Sequence, residues 1–199
     1  MLYAQGIRAC FLRLPGLLPG LRVLDAGCGT GVVTLALREA LLRRGLPPRA
    51  MHAFDLTPAM LDRFERTLRR EDAARIELAL ANVLELKQLP HSWSDYDLVV
   101  SASMLEYVPR TRFAEALTSL RRLLVPGGRF LLFVTKRNWL MRPLIETWWK
   151  GNLYAEPELQ AAFETAGFES ILFSRFPPAF RHLGTWGHIV EARSSRCVV

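Results

Sequence analysis

The chain has 199 residues, half of them hydrophobic, with 26 basic against 19 acidic side chains for a net charge of +7. That length suits one domain around a sizeable core, and the longest oily run, Phe130 to Val134, is a buried strand's length rather than the roughly 18 to 20 residues of a spanning helix. Cys10, Cys28 and Cys197 are odd in number and lack ligand spacing, which argues against a disulfide framework or a zinc site and fits a reducing cytoplasm.

The first twenty residues are apolar but interrupted by Arg8 and Arg13, so a short packing helix and a Pro/Gly turn are expected rather than a secretory leader. Beyond them, strand-like and helix-like periodicities alternate. Strands are predicted over 22–26, 50–55, 76–81, 96–101 and 129–135. Helices are predicted from Thr30 to Arg44, from the Thr57-Pro58 start to about Arg70, and from Thr111 to Leu124, stopped by Pro126-Gly127-Gly128. This alternation predicts a parallel sheet with right-handed crossovers. An aromatic-rich insert, 138–154, precedes a helix over 158–166. Two last strands, 170–175 and 186–192, are joined by too few residues for a crossover helix, so an antiparallel pair is expected. The whole is read as one domain, 1–199: a short N-terminal segment (1–20), a ligand-binding core (21–135), and an insert with the C-terminal strands (136–199).

Nearly all the positive charge is arginine; Lys87, Lys136 and Lys150 are the lysines. The pairs Arg43-Arg44, Arg69-Arg70 and Arg121-Arg122 fall near predicted helix C-termini, where cations favour the helix dipole. A nucleic-acid or anionic-surface role is the competing reading.

The segment Asp25-Ala26-Gly27-Cys28-Gly29-Thr30-Gly31 ends a strand and opens a helix, where open α/β sheets bind ligands. The dinucleotide pattern wants Gly or Ala three residues after Gly29, and Val32 stands there. With Gly31 the loop is G-x-G-x-G. It resembles the first motif of class I S-adenosylmethionine-dependent methyltransferases, and the resemblance extends through residues 21–135. It implies a Rossmann-like, seven-stranded, mostly parallel sheet with helices on both faces and an antiparallel C-terminal hairpin.

In that family the glycine loop (here Gly27, Cys28, Gly29, Thr30) passes under the homocysteine moiety of S-adenosylmethionine, whose demethylated product is S-adenosylhomocysteine. Asp55 matches the acid that ends the second strand, where a carboxylate can accept from both ribose hydroxyls; the alternative is that it caps the next helix. Asp25 matches a residue that helps orient the cofactor's amino group. The resemblance extends the cofactor set to Leu56, Met60, Asn82, Val83 and Ser101. Asn82 departs from the pattern, since the family usually carries an acid there for the adenine amino group. The segments 95–108 and 123–130 resemble the fourth-strand motif and the turn into the fifth strand.

The nearest likeness is to the small-molecule branch that includes quinone-biosynthesis methyltransferases. That branch commonly carries more chain before the first strand, so closure over the cofactor is expected to depend on the insert, a partner subunit or the substrate. Methyl transfer from a sulfonium needs alignment and water exclusion rather than a protein nucleophile, and no metal is expected. Glu106 and Tyr107 are candidate bases, with surface or core packing as their alternative. His182 and His188 could reach the cleft or be structural, and His52, inside a strand, is read as structural. Met104, Tyr107, Trp139, Arg142 and Tyr154 are candidate acceptor contacts, beside Trp148 and Arg137. The insert is otherwise read as core packing, or as a peripheral membrane contact. The expected function is methylation of a small-molecule acceptor; the alternatives are nucleic-acid methylation or a non-catalytic cofactor-binding scaffold. No specific nucleic-acid partner is expected.

Overall fold

A computed structural model describes residues 2–68, 75–136 and 151–195. Helix α1 (Leu2–Arg13) leads into β1 (Arg22–Ala26), α2 (Val32–Arg43), β2 (Ala50–Asp55), α3 (Pro58–Thr67), β3 (Ile76–Leu80) and β4 (Tyr96–Ala102). Two short 3₁₀ turns, Leu105–Tyr107 and Arg110–Arg112, lead to α4 (Phe113–Arg121) and β5 (Leu124–Thr135). Helix α5 (Glu156–Thr165), β6 (Phe168–Ser174), a 3₁₀ stretch (Pro178–Thr185) and β7 (Gly187–Ser194) complete the described residues.

The seven strands form one sheet in the order β3-β2-β1-β4-β5-β7-β6. Strands β1 to β5 are parallel, and β7 runs antiparallel to both β5 and β6. The inner strands are apolar on both faces because both faces are covered. Leu24, Val99 and Phe130 face α4 and α5 through Phe113, Leu117, Leu120 and Phe163. Val23, Leu98 and Leu131 face α1, α2 and α3 through Phe11, Leu37, Leu41 and Phe64.

Sequence and structure differ most around Pro126. The third predicted helix ends at Arg121 rather than Leu124, and Pro126-Gly127-Gly128 lies inside β5 instead of before it. The register of β4 on β5 jumps from Tyr96↔Leu124 to Leu98↔Arg129, so these residues form a bulge. Gly127 has φ +74, and a Cβ on Gly128 would come within 2.8 Å of the Val125 carbonyl. Glycine therefore serves here to let a strand fold over its own backbone, and it does not stop a helix.

Arg44 and Arg121 tie helices together, while Arg43 pairs with Glu39 of its own helix at 2.6 Å. Arg44 donates to the carbonyls of Phe11 and Leu14 at the end of α1, and Arg121 donates to Ala166 at the end of α5. These contacts satisfy helix-end carbonyls. Arg69 and Arg70 lie outside the described residues.

Candidate active site

The order of strands reverses between β1 and β4, the crevice where such sheets take ligands. A cleft of about 720 Å³ opens there, beyond the C-terminal ends of β1, β2 and β4. Its glycine loop is set by backbone geometry. Gly27, Gly29 and Gly31 all have positive φ (+78, +53, +82), which favours glycine. Their surroundings differ, however. A Cβ on Gly27 would strike Met104 at 2.2 Å and one on Gly31 would strike Phe64 at 2.1 Å, whereas one on Gly29 would meet nothing within 4 Å. Gly27 and Gly31 permit close packing of side chains, and Gly29 leaves its side of the cleft open to a ligand.

Asp55 holds this loop to the next helix. Its Oδ2 accepts from the Gly29 N–H and its Oδ1 from the Thr57 N–H, both at 2.8 Å. Both sequence readings of Asp55 thus meet in one residue. It organises the start of α3 and presents a carboxylate to the cleft, each oxygen retaining capacity for a further hydrogen bond. Asn82 accepts from the Leu84 N–H at 3.0 Å, an Asx turn that leaves its amide oxygen one more acceptor site.

Of the sequence-derived cofactor residues, Gly27, Cys28, Gly29, Thr30, Asp55, Leu56, Met60, Asn82 and Val83 line the cleft. Asp25 and Ser101 lie beneath its floor. Ser101 donates to the Ala26 carbonyl at 2.9 Å and is fully buried. Asp25 accepts from the Thr34 hydroxyl at 2.5 Å through Oδ2, while Oδ1 is buried without a partner. Burial pushes the Asp25 carboxyl up to about 7; the Thr34 hydroxyl opposes the rise and the Asp55 charge adds to it.

A second chamber, about 370 Å³, adjoins the cleft and shares Tyr3, Ser103 and Tyr107 with it. Phe133, Val134, Phe176, Leu183 and Trp186 make its wall apolar; Glu106, Thr135 and His188 supply polar groups. Glu106 is 5% exposed, and its Oε2 accepts from the Thr135 N–H at 3.0 Å. Burial raises the Glu106 pKa, and hydrogen bonds from the Thr135 backbone and side chain draw it partly back. At the junction the Tyr3 hydroxyl lies 3.2 Å from the Ser103 hydroxyl. Tyr3 is 41% exposed as a residue, yet desolvation of its hydroxyl pushes the pKa up to about 12. Ser103 stands at φ +54, a left-handed conformation uncommon for a residue with a side chain and typical of functional sites.

The remaining sequence candidates scatter. Tyr107 sits at the junction, and Met104 lines the cleft against Gly27 rather than the chamber. Tyr154 is buried and lines neither cavity; its ring stacks on Phe113 at 4.5 Å and lies 4.8 Å from the Arg110 guanidinium. His182 is exposed on the 3₁₀ stretch and lines neither cavity, while His188, on β7, lines the chamber. His52 stacks on Trp93 and meets the Tyr96 hydroxyl at 2.6 Å inside the core. Arg137, Trp139, Arg142 and Trp148 lie outside the described residues, as does most of the insert on which the membrane-surface reading rests.

Sequence reasoning missed Tyr3, Ser103, Thr135, Phe176 and Trp186. Nothing in the sequence marks them; in the fold, six of the ten exposed large hydrophobic residues among those described, Tyr3, Val32, Leu56, Met60, Tyr107 and Trp186, line the cleft or the chamber. Among the described residues no three His, Cys, Asp or Glu side chains gather as a metal site, and no helix is long and apolar enough to cross a membrane.

Comparison with known proteins agrees with this architecture. A family described as "Methyltransferase domain" matches residues 23–128. A highly reducing polyketide synthase of Cordyceps militaris is 30% identical over 143 residues, 67% of this chain and 5% of the synthase. The malonyl-[acyl-carrier protein] O-methyltransferase of Herminiimonas arsenicoxydans is 31% identical over 85% of this chain and 60% of its own length. The chain thus spans 5% of the first relative and 60% of the second, less than two thirds of either. Among solved structures, the trans-methyltransferase CalH in complex with SAH superposes with a TM-score of 0.76 at 22% identity, over 97% of this chain and 58% of CalH, which shows a shared fold. With the glycine loop, Asp55 and the β1/β4 crevice in place, the chain belongs to the methyltransferase-domain family, within the class I S-adenosylmethionine-dependent methyltransferases.

Proposed function

We propose that the protein transfers a methyl group from S-adenosylmethionine, held in the cleft, to a small acceptor whose apolar or aromatic body occupies the adjoining chamber. The observation that carries this reading is the junction: Tyr3, Ser103 and Tyr107 belong to both cavities. The cleft's own features suit the cofactor. Gly29 leaves open space, Asp55 has spare acceptor capacity for ribose hydroxyls, and Leu56, Met60 and Val83 offer apolar surface to a flat base.

S-adenosylmethionine, held by the glycine loop and Asp55, would supply an electrophilic methyl group on a sulfonium whose leaving group is a neutral thioether. The chain's residues align and desolvate the acceptor. Glu106, a buried carboxylate at the chamber wall, takes the proton that a hydroxyl, amine or acidic carbon must lose. Tyr3 and Ser103 hold hydroxyls at the junction, where an acceptor oxygen or nitrogen needs orientation. Relatives named for a malonyl-[acyl-carrier protein] O-methyltransferase and a polyketide synthase support a small acyl or ketide acceptor class. Action in the cytoplasm is part of the proposal, supported by the odd number of cysteines and by Cys10 and Cys28 being free thiols.

The test is incubation of the protein with methyl-labelled cofactor and an extract of the source cells, followed by mass identification of labelled products. The expected label is in a small organic molecule and disappears with Glu106→Gln. Label confined to nucleic acid, or none above a protein-free control, would refute the proposal.

A further inference from the structure

Next to the chamber lies a third recess, about 410 Å³, of opposite character. Lys136, Arg175 and Arg181 line it, with Glu156, Ser174 and Thr185, and it shares Phe176, Gly187 and His188 with the chamber. Three cations thus converge on it against one carboxylate. That carboxylate is turned to a different partner: Glu156 Oε1 is 3.5 Å from Nδ1 of His188. Among the described residues none places a carboxylate within ion-pair distance of Lys136, Arg175 or Arg181. Elsewhere Arg8, Arg43, Arg110, Arg112 and Arg129 each pair with a glutamate. Among the described residues, three cations thus gather in one concave site with no carboxylate paired to them, which suits an anion.

His188 gives an independent indication. It stands on the wall common to chamber and recess, 5% exposed, and its Nε2 is buried with no hydrogen-bond partner. A buried polar nitrogen without a partner is destabilising, so it suits a ligand atom. Burial, with Lys136 acting in the same direction, lowers the pKa of this imidazole, while Glu156 and a hydrogen bond to the Tyr154 backbone oppose the shift. An anionic head group supplies the missing partner: with the imidazole protonated from solvent, Nε2–H donates to a carboxylate or phosphate oxygen.

We propose that this recess is an anion subsite of the acceptor: it takes a carboxylate or phosphate head group joined to an apolar body lying in the chamber. Arg175 and Arg181 bring planar guanidinium donors suited to either oxyanion, and Lys136 adds a point charge. The inference rests on the chamber being the acceptor site, and it narrows the acceptor from a small apolar molecule to an amphiphilic acid.

Titration calorimetry on the full chain saturated with S-adenosylhomocysteine tests it, with decanoate, decyl phosphate and decanol as probes and inorganic phosphate as competitor. The acids are expected to bind about tenfold or more tightly than decanol, the effect of one good charged hydrogen bond. Their relative ranking separates carboxylate from phosphate, and inorganic phosphate should weaken decanoate but not decanol. Arg175 and Arg181 are exposed, so an Arg175→Gln, Arg181→Gln protein keeps its fold. It should bind acid and alcohol within about twofold of each other, with unchanged affinity for decanol and S-adenosylhomocysteine. Equal binding of decanoate and decanol by the parent protein, or an acid preference that survives the double substitution, overturns the subsite while leaving the chamber intact. Failure of all three chains to bind the S-adenosylhomocysteine complex would instead remove the chamber as acceptor site and the subsite with it. Failure of S-adenosylhomocysteine itself to bind would strike the cofactor assignment.

Discussion

The cofactor cleft and the acceptor chamber are built in opposite ways. The cleft is made largely of backbone: strand ends, three left-handed glycines, and a carboxylate that holds two N–H groups. Its residues come mostly from a few contiguous segments that follow the ends of β1, β2, β3 and β4. The chamber is made of side chains, brought together from α1, the 105–107 turn, β5, the 178–185 turn and β7. Backbone recognises what stays constant, here the cofactor, and side chains from distant elements can change one at a time to recognise what varies.

That contrast can be broken at Glu106. Glu106→Gln should lower turnover about 100- to 10,000-fold while leaving cofactor affinity unchanged, because it removes a base from the chamber and nothing from the cleft. A base works deprotonated, and burial raises this carboxyl, so the acid limb of kcat/KM should lie above the ordinary glutamate value of about 4.3 and vanish in the variant. Turnover within a few-fold of the parent would make Glu106 structural.

Asp25 sharpens the comparison from beneath the cleft. Its folded pKa of about 7 exceeds the ordinary value of 3.8, so the native state binds this proton more tightly than the unfolded chain. The stability it contributes is complete below about pH 4 and is lost as pH climbs through about 7, a loss on the order of 4 kcal/mol for a shift of that size. Denaturant midpoints of the cofactor-free protein should fall across that window, and Asp25→Asn should flatten the fall. Parallel curves for both proteins would mean that Asp25 is ionised in the native state.

The glycines separate packing from binding within one loop. Gly31→Ala should cost about 2 to 3 kcal/mol of stability, because its Cβ meets the buried Phe64 ring at a left-handed position. Gly29→Ala should cost only about 1 kcal/mol, the left-handed penalty alone, yet weaken the cofactor by filling open space in the cleft. Equal stability losses would show that Gly29 also packs against protein. The smallest expected effect is that of a chelator on methyl transfer, which should be none, since a sulfonium already carries its leaving group; abolition with rescue by a divalent ion would revise the mechanism.

The same contrast explains what could be read from residues alone. The cleft is legible because its determinants are local: the glycine loop follows a strand and opens a helix, and Asp55 ends the next strand two residues before an N-cap. The chamber is not, because Tyr3 lies a hundred residues from the Ser103 it meets. Ser101 was the expected serine of the fourth strand, but its hydroxyl turns into the sheet, and Ser103 reaches the junction through a left-handed conformation that no residue type announces. His182 and His188 are six residues apart and equal in sequence terms. The antiparallel pairing of β7 on β5 sets His188 opposite Val134 at the chamber, while His182 is left on an exposed turn.

The most direct test of the account is calorimetric titration of the parent protein and Asp55→Ala with S-adenosylhomocysteine and with NAD. The account predicts one S-adenosylhomocysteine site, far weaker NAD binding, and a loss of about 1.5 to 3 kcal/mol of S-adenosylhomocysteine affinity in Asp55→Ala, the range for hydrogen bonds to a charged group. NAD binding as tightly as S-adenosylhomocysteine, or an unchanged dissociation constant in Asp55→Ala, would contradict it.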